Sequence, residues 1–369
     1  MKKITRKQRE TNILLNKVRF NRRLSSKLFK KYGVRLKRNG TDKKIKPRRK
    51  DVIITAPAYI DIYNPRNHLK FIKFKNEVEK QSAVCASSNK PLMLCFRDTY
   101  LITAAAGLLL IAFVDTLKHK HPDLKFRVSR PHKQPINGSK KPINIVDSVL
   151  SQIGFYELIG YPEYVSSSNV TSVKCWKYAS STESDGEIAG EILKQLPKGI
   201  ISTSALYRSC IEAIANAAEH AYSKDVKTKK SFSTEKWWIF VGHLNNELII
   251  LVCDLGHGIP NTLETTQEAS FMKALWSRLG FSSRPSSDCE FIRASTIVKE
   301  TRTKMSHRGL GTTDLRTFVD KTEKSKMLIF SNKGYYSYHN PKSGRPSLAL
   351  DNQLSIGGTI VQWSVPTEC

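Results

Sequence analysis

The stretch LYRSCIEAIANAAEHAY, residues 206–222, decides how the rest of the chain is read. Its alanine-rich body is strongly helix-forming, and Ser202, Thr203 and Ser204 just before it are candidate N-caps. Glu212, Asn216 and His220 recur every four residues and fall close to one helix face. A carboxylate one turn before an amide suits nucleotide chemistry, because the amide oxygen can ligate Mg²⁺ while the carboxylate polarises a water or hydroxyl. The same pair also describes a plain solvated helix face. The segments downstream separate the two readings.

Residues 248–260, LIILVCDLGHGIP, run an apolar strand into a turn with Asp254, Gly256 and Gly258. Glycines there let backbone approach a ligand closely, and an aspartate at the strand end can accept a hydrogen bond from an exocyclic amine. Residues 307–315, HRGLGTTDL, form a glycine-rich turn entering a helix, a place where backbone amides cradle phosphates. Residues 357–366, GGTIVQWSVP, follow as a closing strand.

In this order the first three segments resemble the N, G1 and G2 boxes of the GHKL superfamily (gyrase, heat-shock chaperone, histidine kinase, MutL). The fourth looks like that family's last strand, whose Thr359 contacts the adenine region. The resemblance spans residues 190–367 and implies an α/β sandwich of the Bergerat type, an ATPase domain over 172–369, with ATP and Mg²⁺ as cofactors. It implies that Asp254 binds the adenine amine, Asn216 ligates Mg²⁺, and Gly256 and Gly258 admit the base. Arg308, Gly309, Leu310 and Gly311 would serve the phosphates, with Glu212 as general base. Glutamate four residues before the asparagine is typical of members that hydrolyse ATP and of the anti-sigma-factor serine kinases, the branch that EAIANAAEHA looks closest to. Two features depart from the pattern. His307 stands where the phosphate turn usually begins with glycine, and 46 residues, Asn261 to Ser306, separate the second and third boxes. That insert predicts helices around Phe271–Leu279 and Cys289–Glu300. Arg302 and Lys304 lie near the phosphate turn, Arg302 reading as a solvent-facing charge. His220 and His257 read as structural hydrogen-bonders. His119, His121 and His132 sit in loop-rich sequence, which argues against a two-component histidine kinase.

Upstream, residues 51–165 alternate short apolar runs with helical patterns: a strand at Leu92–Phe96, a helix at Ala104–Leu117 and a second strand at Leu124–Val128. A loop follows at Pro131–Lys141, then a helix capped by Asn144 that runs to Ile153 and stops at Gly154. Strand, helix, strand and helix in so short a span predict a small α/β domain. The turn Thr103-Ala104-Ala105-Ala106-Gly107-Leu108 and the closing Gly154-Phe155 resemble the STAS domain of anti-sigma-factor antagonists over about 90 residues. The family's phosphoacceptor serine falls on Ala105, so the resemblance implies a docking or sensing module not switched at that position. A strand at Val173–Tyr178 follows a domain boundary near 165–172.

Of the 61 Lys/Arg residues, 21 lie in residues 1–50 with only two acids, while the remaining 319 residues carry 40 against 30. Residues 1–50 therefore read as a basic arm, with an amphipathic helix over 11–31 and a charged run from Lys43 to Lys50. Such charge attracts polyanions, including nucleic acid; it equally describes a solvated tail. Seven scattered cysteines without a CxxC pair and no secretory signal point to a reducing cytoplasm. The longest apolar stretch, Leu101–Val114, is shorter than the ~20 residues a membrane span needs. The expectation is an ATP-hydrolysing switch whose nucleotide state controls a macromolecular partner, dimerising as family members often do. A partner-switching serine/threonine kinase and a nucleic-acid-binding module with structural ATP are the alternatives.

Overall fold

The computed structural model describes residues 51–133, 145–164, 173–183, 190–191, 203–228, 230–244, 247–265, 267–297 and 313–366. The expected arm helix, the loop from 134 on, Asn144, Arg302, Lys304, His307 and Arg308 through Gly311 lie outside them. The architecture is mixed α/β, built on two main sheets.

The larger sheet has seven strands: β6 (Val173–Ser181), β7 (Trp237–Leu244), β8 (Glu247–Asp254), β9 (Lys326–Ser331), β10 (Gly334–His339), β11 (Leu348–Asp351) and β12 (Thr359–Pro366). Their order is β11-β10-β9-β12-β8-β7-β6, with every pairing antiparallel. The last strand inserts between β8 and β9, pairing Thr359 with Asp254 on one side and with Ser331 on the other. Three distant segments thus meet at one end of one sheet.

Every residue of β8 after Glu247 is buried. An unbroken apolar strand implies cover on both faces. On one face lie α5 (Thr203–Glu219) and α6 (Thr313–Lys321), whose Ile214, Ala217, Leu315 and Phe318 share a core with Ile250, Val252, Val361 and Trp363. On the other face Trp238, Phe240, Leu251, Cys253, Phe330 and Ile360 join the core of residues 51–164. That half holds a parallel sheet of β1 (Val52–Thr55), β3 (Leu92–Cys95) and β5 (Phe126–Ser129), a parallel pair β2 (Tyr59–Ile60) and β4 (Leu101–Ile102), and helices α1 (Pro65–Ser87), α2 (Ala104–Lys120), α3 (Ile145–Gln152) and α4 (Phe155–Leu158). Helix α2 is apolar nearly all round, the pattern of a fully enclosed helix, and it packs on β7 and β8. Residues 49–369 form one unit by their contacts.

The apolar stretch from Leu101 is this enclosed helix, and no helix among the described residues is long and apolar enough to cross a membrane. Ala105 is completely buried near its start, so no side chain at that position reaches a modifying enzyme. Among the described residues Cys85, Cys95, Cys210, Cys253 and Cys289 are free thiols. Element ends moved by a few residues: α2 continues to Lys120, and the helix expected over 289–300 spans Asp288–Ser295. Helix α1 has no counterpart among the elements expected from the sequence. Its start is locally encoded, since the Asn64 side chain accepts from the Arg66 and Asn67 amides and Pro65 opens the helix.

Polar bonds tie the two halves together inside this core. Asp115 of α2 accepts from Trp238 Nε1 at 3.1 Å and from Lys236 Nζ at 3.2 Å, and the Tyr63 hydroxyl donates to Gln362 Oε1. Asp115→Ala strands a buried indole N–H and a partly buried ammonium. The expected cost is about 3 kcal/mol, read by denaturant unfolding; a loss below about 0.5 kcal/mol would remove Asp115 as a tie.

Candidate functional site

The site assembles where α5 ends. Glu212 and Asn216 lie one turn apart on α5, with Asn216 Nδ2 donating to Glu212 Oε1 at 3.1 Å. Past the helix, the His220 and Ala221 amides both return to the Asn216 carbonyl, at 3.1 and 3.2 Å. The helix thus ends on an i→i−5 closure, and Ala221 presents its own carbonyl to the turn after β8. There the His257 amide donates to it at 2.7 Å. Gly256 makes this approach sterically feasible: a Cβ on it would stand 2.2 Å from the Ala221 oxygen, inside any allowed contact. Gly256→Ala forces helix and turn apart, with an expected loss of about 3 kcal/mol in unfolding free energy. Wild-type stability in that variant would mean the junction is not tight.

Gly258 is held at φ +81°, in the left-handed region, and a Cβ there would run into the Asn332 amide at 2.6 Å. Asn332 Nδ2 instead donates to the His257 carbonyl at 2.9 Å. Alanine is excluded here on both counts, conformation and space.

Asp254 closes β8 and is 6% exposed. Its Oδ1 accepts from the Gly256 amide at 2.9 Å. Burial pushes its carboxyl up to about 6; the Gly256 amide, the Lys230 charge and the amide and hydroxyl of Thr359 hold it from rising further. The Thr359 hydroxyl lies 3.0 Å from Ser331 Oγ, which accepts from the Ile259 amide at 2.8 Å. A relay follows: the Ile259 N–H feeds Ser331, Ser331 feeds Thr359, and Thr359 feeds the carboxylate. Such chains polarise one another and fix hydroxyl directions. The buried Tyr222 hydroxyl accepts from the Leu255 amide at 3.1 Å and donates to the Lys236 carbonyl, and burial raises its pKa above the ordinary tyrosine range.

Glu212, Asn216, Asp254, Gly256, Gly258 and Thr359 are thus connected through helix end, turn and closing strand. Arg308, Gly309, Leu310 and Gly311 fall outside the described residues. His257 is a structural group: Nδ1 pairs with Thr228 Oγ1 at 2.9 Å, the ring meets Phe232 edge-on at 4.8 Å, and burial lowers its pKa. Tyr222, Ser331, Asn332 and Lys230 were not singled out from the sequence. Tyr222 lies in the sequence stretch 206–222 but past the end of α5, whereas Lys230 sits in the run KTKK, which has the composition of a solvated loop. Among the described residues no group of three or more His, Cys, Asp or Glu gathers as a metal site. The donors that do gather are one carboxylate and one amide oxygen, a set that suits a cation taking its other ligands from elsewhere. No protein-family model matches the chain, and no curated protein matches it.

Proposed function

We propose that the chain is a Mg-ATP-binding ATPase of the GHKL type acting as a nucleotide-controlled switch, with a Bergerat sandwich over residues 172–369 and a STAS-like domain over 51–165. One observation carries the reading. The Ala221 carbonyl accepts the His257 amide at 2.7 Å, and this ties the helix bearing Glu212 and Asn216 to the turn bearing Asp254. Two of the segments that resemble nucleotide boxes, with the closing strand, are here held at one sheet end.

The residues fit the group. Asp254 offers a buried carboxylate as acceptor for an exocyclic amine, whereas at Gly256 and Gly258 the space a side chain would take is filled by the Ala221 carbonyl and the Asn332 amide, so these glycines serve the packing of the turn. Asn216 engages Glu212 through Nδ2, which leaves Oδ1 as the oxygen for Mg²⁺. Bound Mg-ATP would supply the reactive γ-phosphoryl group. Glu212 would take a proton from the attacking water, general-base work that is worth roughly 10²–10⁴ in rate.

The switch part of the reading rests on the shared core. The half that covers the sheet's second face contacts β7, β8 and Gln362 directly, so a change at the strand end has a packed route into it. A serine/threonine kinase acting on a separate protein would use the same residues; buried Ala105 leaves no acceptor in cis at the STAS-aligned position. The test follows labelled γ-phosphate from Mg-ATP given to the purified chain. Label released as free phosphate supports the ATPase. Label on protein, in this chain or in an added lysate, moves the reading to the kinase. ATP bound without turnover leaves the basic arm as the active part, and no ATP binding overturns the proposal.

A further inference from the structure

Lys230 lies in the connection between α5 and β7. Its ammonium donates to three backbone carbonyls from two segments far apart in sequence: Leu255 at 2.8 Å, Gly256 at 2.5 Å and Gly357 at 2.8 Å. Lysine carries three protons on one nitrogen, so three converging carbonyls are its full complement. An arginine spreads its donors over a plane and cannot serve them from one atom. The ammonium also stands over the Phe232 ring, 5.1 Å from its centre, and the same ring braces Tyr222 and His257.

In a trans peptide the carbonyl and the following N–H point in opposite directions. Holding the Leu255 carbonyl therefore aims the Gly256 N–H the other way, where it meets Asp254 Oδ1 at 2.9 Å. Holding the Gly256 carbonyl aims the His257 N–H at the Ala221 carbonyl, 2.7 Å away. The third bond ties the same nitrogen to Gly357, two residues before Thr359. One side chain thus orients both amides on which the site's assembly depends and clasps them to the closing strand.

We propose that Lys230 is the positioning residue that sets the acceptor geometry of Asp254 and, through it, the preference for a purine with an amine at C6 over one with a carbonyl there. This rests on the nucleotide reading above. With the clasp gone, the peptide between Leu255 and Gly256 is free to turn. Asp254 then loses an amide donor and a nearby positive charge, both of which favour its ionised, amine-accepting form. A protonated carboxyl can donate to a base oxygen instead, so discrimination against guanine narrows.

The experiment uses the full chain as wild type, Lys230→Met and Lys230→Arg. It reads ATP and GTP affinity by competition with a fluorescent adenine nucleotide, turnover at saturating ATP, and amide exchange at Gly256 and His257 without nucleotide. In Lys230→Met, ATP affinity is expected to fall about tenfold or more and the ATP-to-GTP ratio to shrink by a similar factor. Exchange at both amides should rise about tenfold, while saturated turnover stays within about threefold, because Glu212 is held on its own helix. Lys230→Arg should share the defect despite keeping its charge. Unchanged exchange and selectivity in Lys230→Met, in a protein that binds ATP, overturn the positioning role alone. Full function in Lys230→Arg overturns the three-carbonyl geometry. A wild type that binds no ATP overturns the nucleotide reading and the selectivity with it.

Discussion

Replacing Asp254 with asparagine should make the protein more stable and unable to bind nucleotide. The carboxyl is buried, and its folded-state pKa is raised from 3.8 to about 6. For a raised carboxyl, stability is fully present below the unfolded value and is lost as pH climbs through the folded value. Between about pH 4 and 6 the unfolded chain ionises while the folded one resists. Above 6 the wild type therefore carries a penalty of about 3 kcal/mol, two pKa units at 1.36 kcal/mol each. Asparagine keeps an oxygen for the Gly256 amide without the charge, while its NH₂ faces the Thr359 donors and takes back part of the gain. For a unit of this length the net gain is at most roughly 4 °C in melting temperature near neutral pH, fading below pH 4.

The same exchange should remove binding. With Oδ1 occupied by the Gly256 amide, the asparagine would turn its own NH₂ toward the base amine, donor against donor. A loss of at least ~100-fold in ATP affinity is expected. In the wild type, affinity should rise with pH through about 6, as the carboxylate becomes available. Calorimetric melting and nucleotide titration, each at pH 5 and pH 7.5, check both halves. A destabilised Asp254→Asn at pH 7.5, or one that binds ATP normally, would sink the assignment. The conflict between stability and binding is itself what a functional carboxylate predicts, since a structural one has no reason to be kept charged in a dry place.

What could be read from the sequence follows the range of the interaction involved. The strand at residues 248–254, the turn glycines and the helix bearing Glu212 are encoded by neighbours a few positions apart, and the structure has all three. The pairing of Thr359 with Asp254 joins residues more than a hundred positions apart, and only the order of the segments hinted at it. The unbroken apolar run of β8 says that both sheet faces are covered. It does not say that α2 is the cover, because burial is non-directional and any apolar partner satisfies it. Lys230 shows the limit most clearly. Its partners are backbone carbonyls of Leu255, Gly256 and Gly357, groups every residue has, so no side-chain pattern could announce them. Helix α1 differs from these: Asn64-Pro65 is a local start signal, so its origin is encoded by neighbours alone.

Turnover should depend on Glu212 far more than binding does. Glu212 is half-buried on α5, and its Oε1 accepts from Asn216 Nδ2 at 3.1 Å. Alanine removes the base but also releases the Asn216 amide to rotate, which confounds base chemistry with metal ligation. Glutamine keeps an oxygen for that bond and lacks a proton-accepting carboxylate, so it isolates the chemistry. In Glu212→Gln the rate of γ-phosphate release should fall roughly 10²–10⁴-fold with ATP affinity within about threefold of wild type. Glu212→Ala should lose the same turnover and also some Mg²⁺-dependent affinity, because the freed amide no longer holds Oδ1 toward a cation. The difference between the two variants measures how much the glutamate contributes as a support for Asn216. Equal turnover in wild type and Glu212→Gln would remove the general base from the mechanism. A helix face on which carboxylate and amide already bond each other would then be a structural pair, and the catalytic reading of α5 would fall while the Asp254 turn remained to be explained by binding alone.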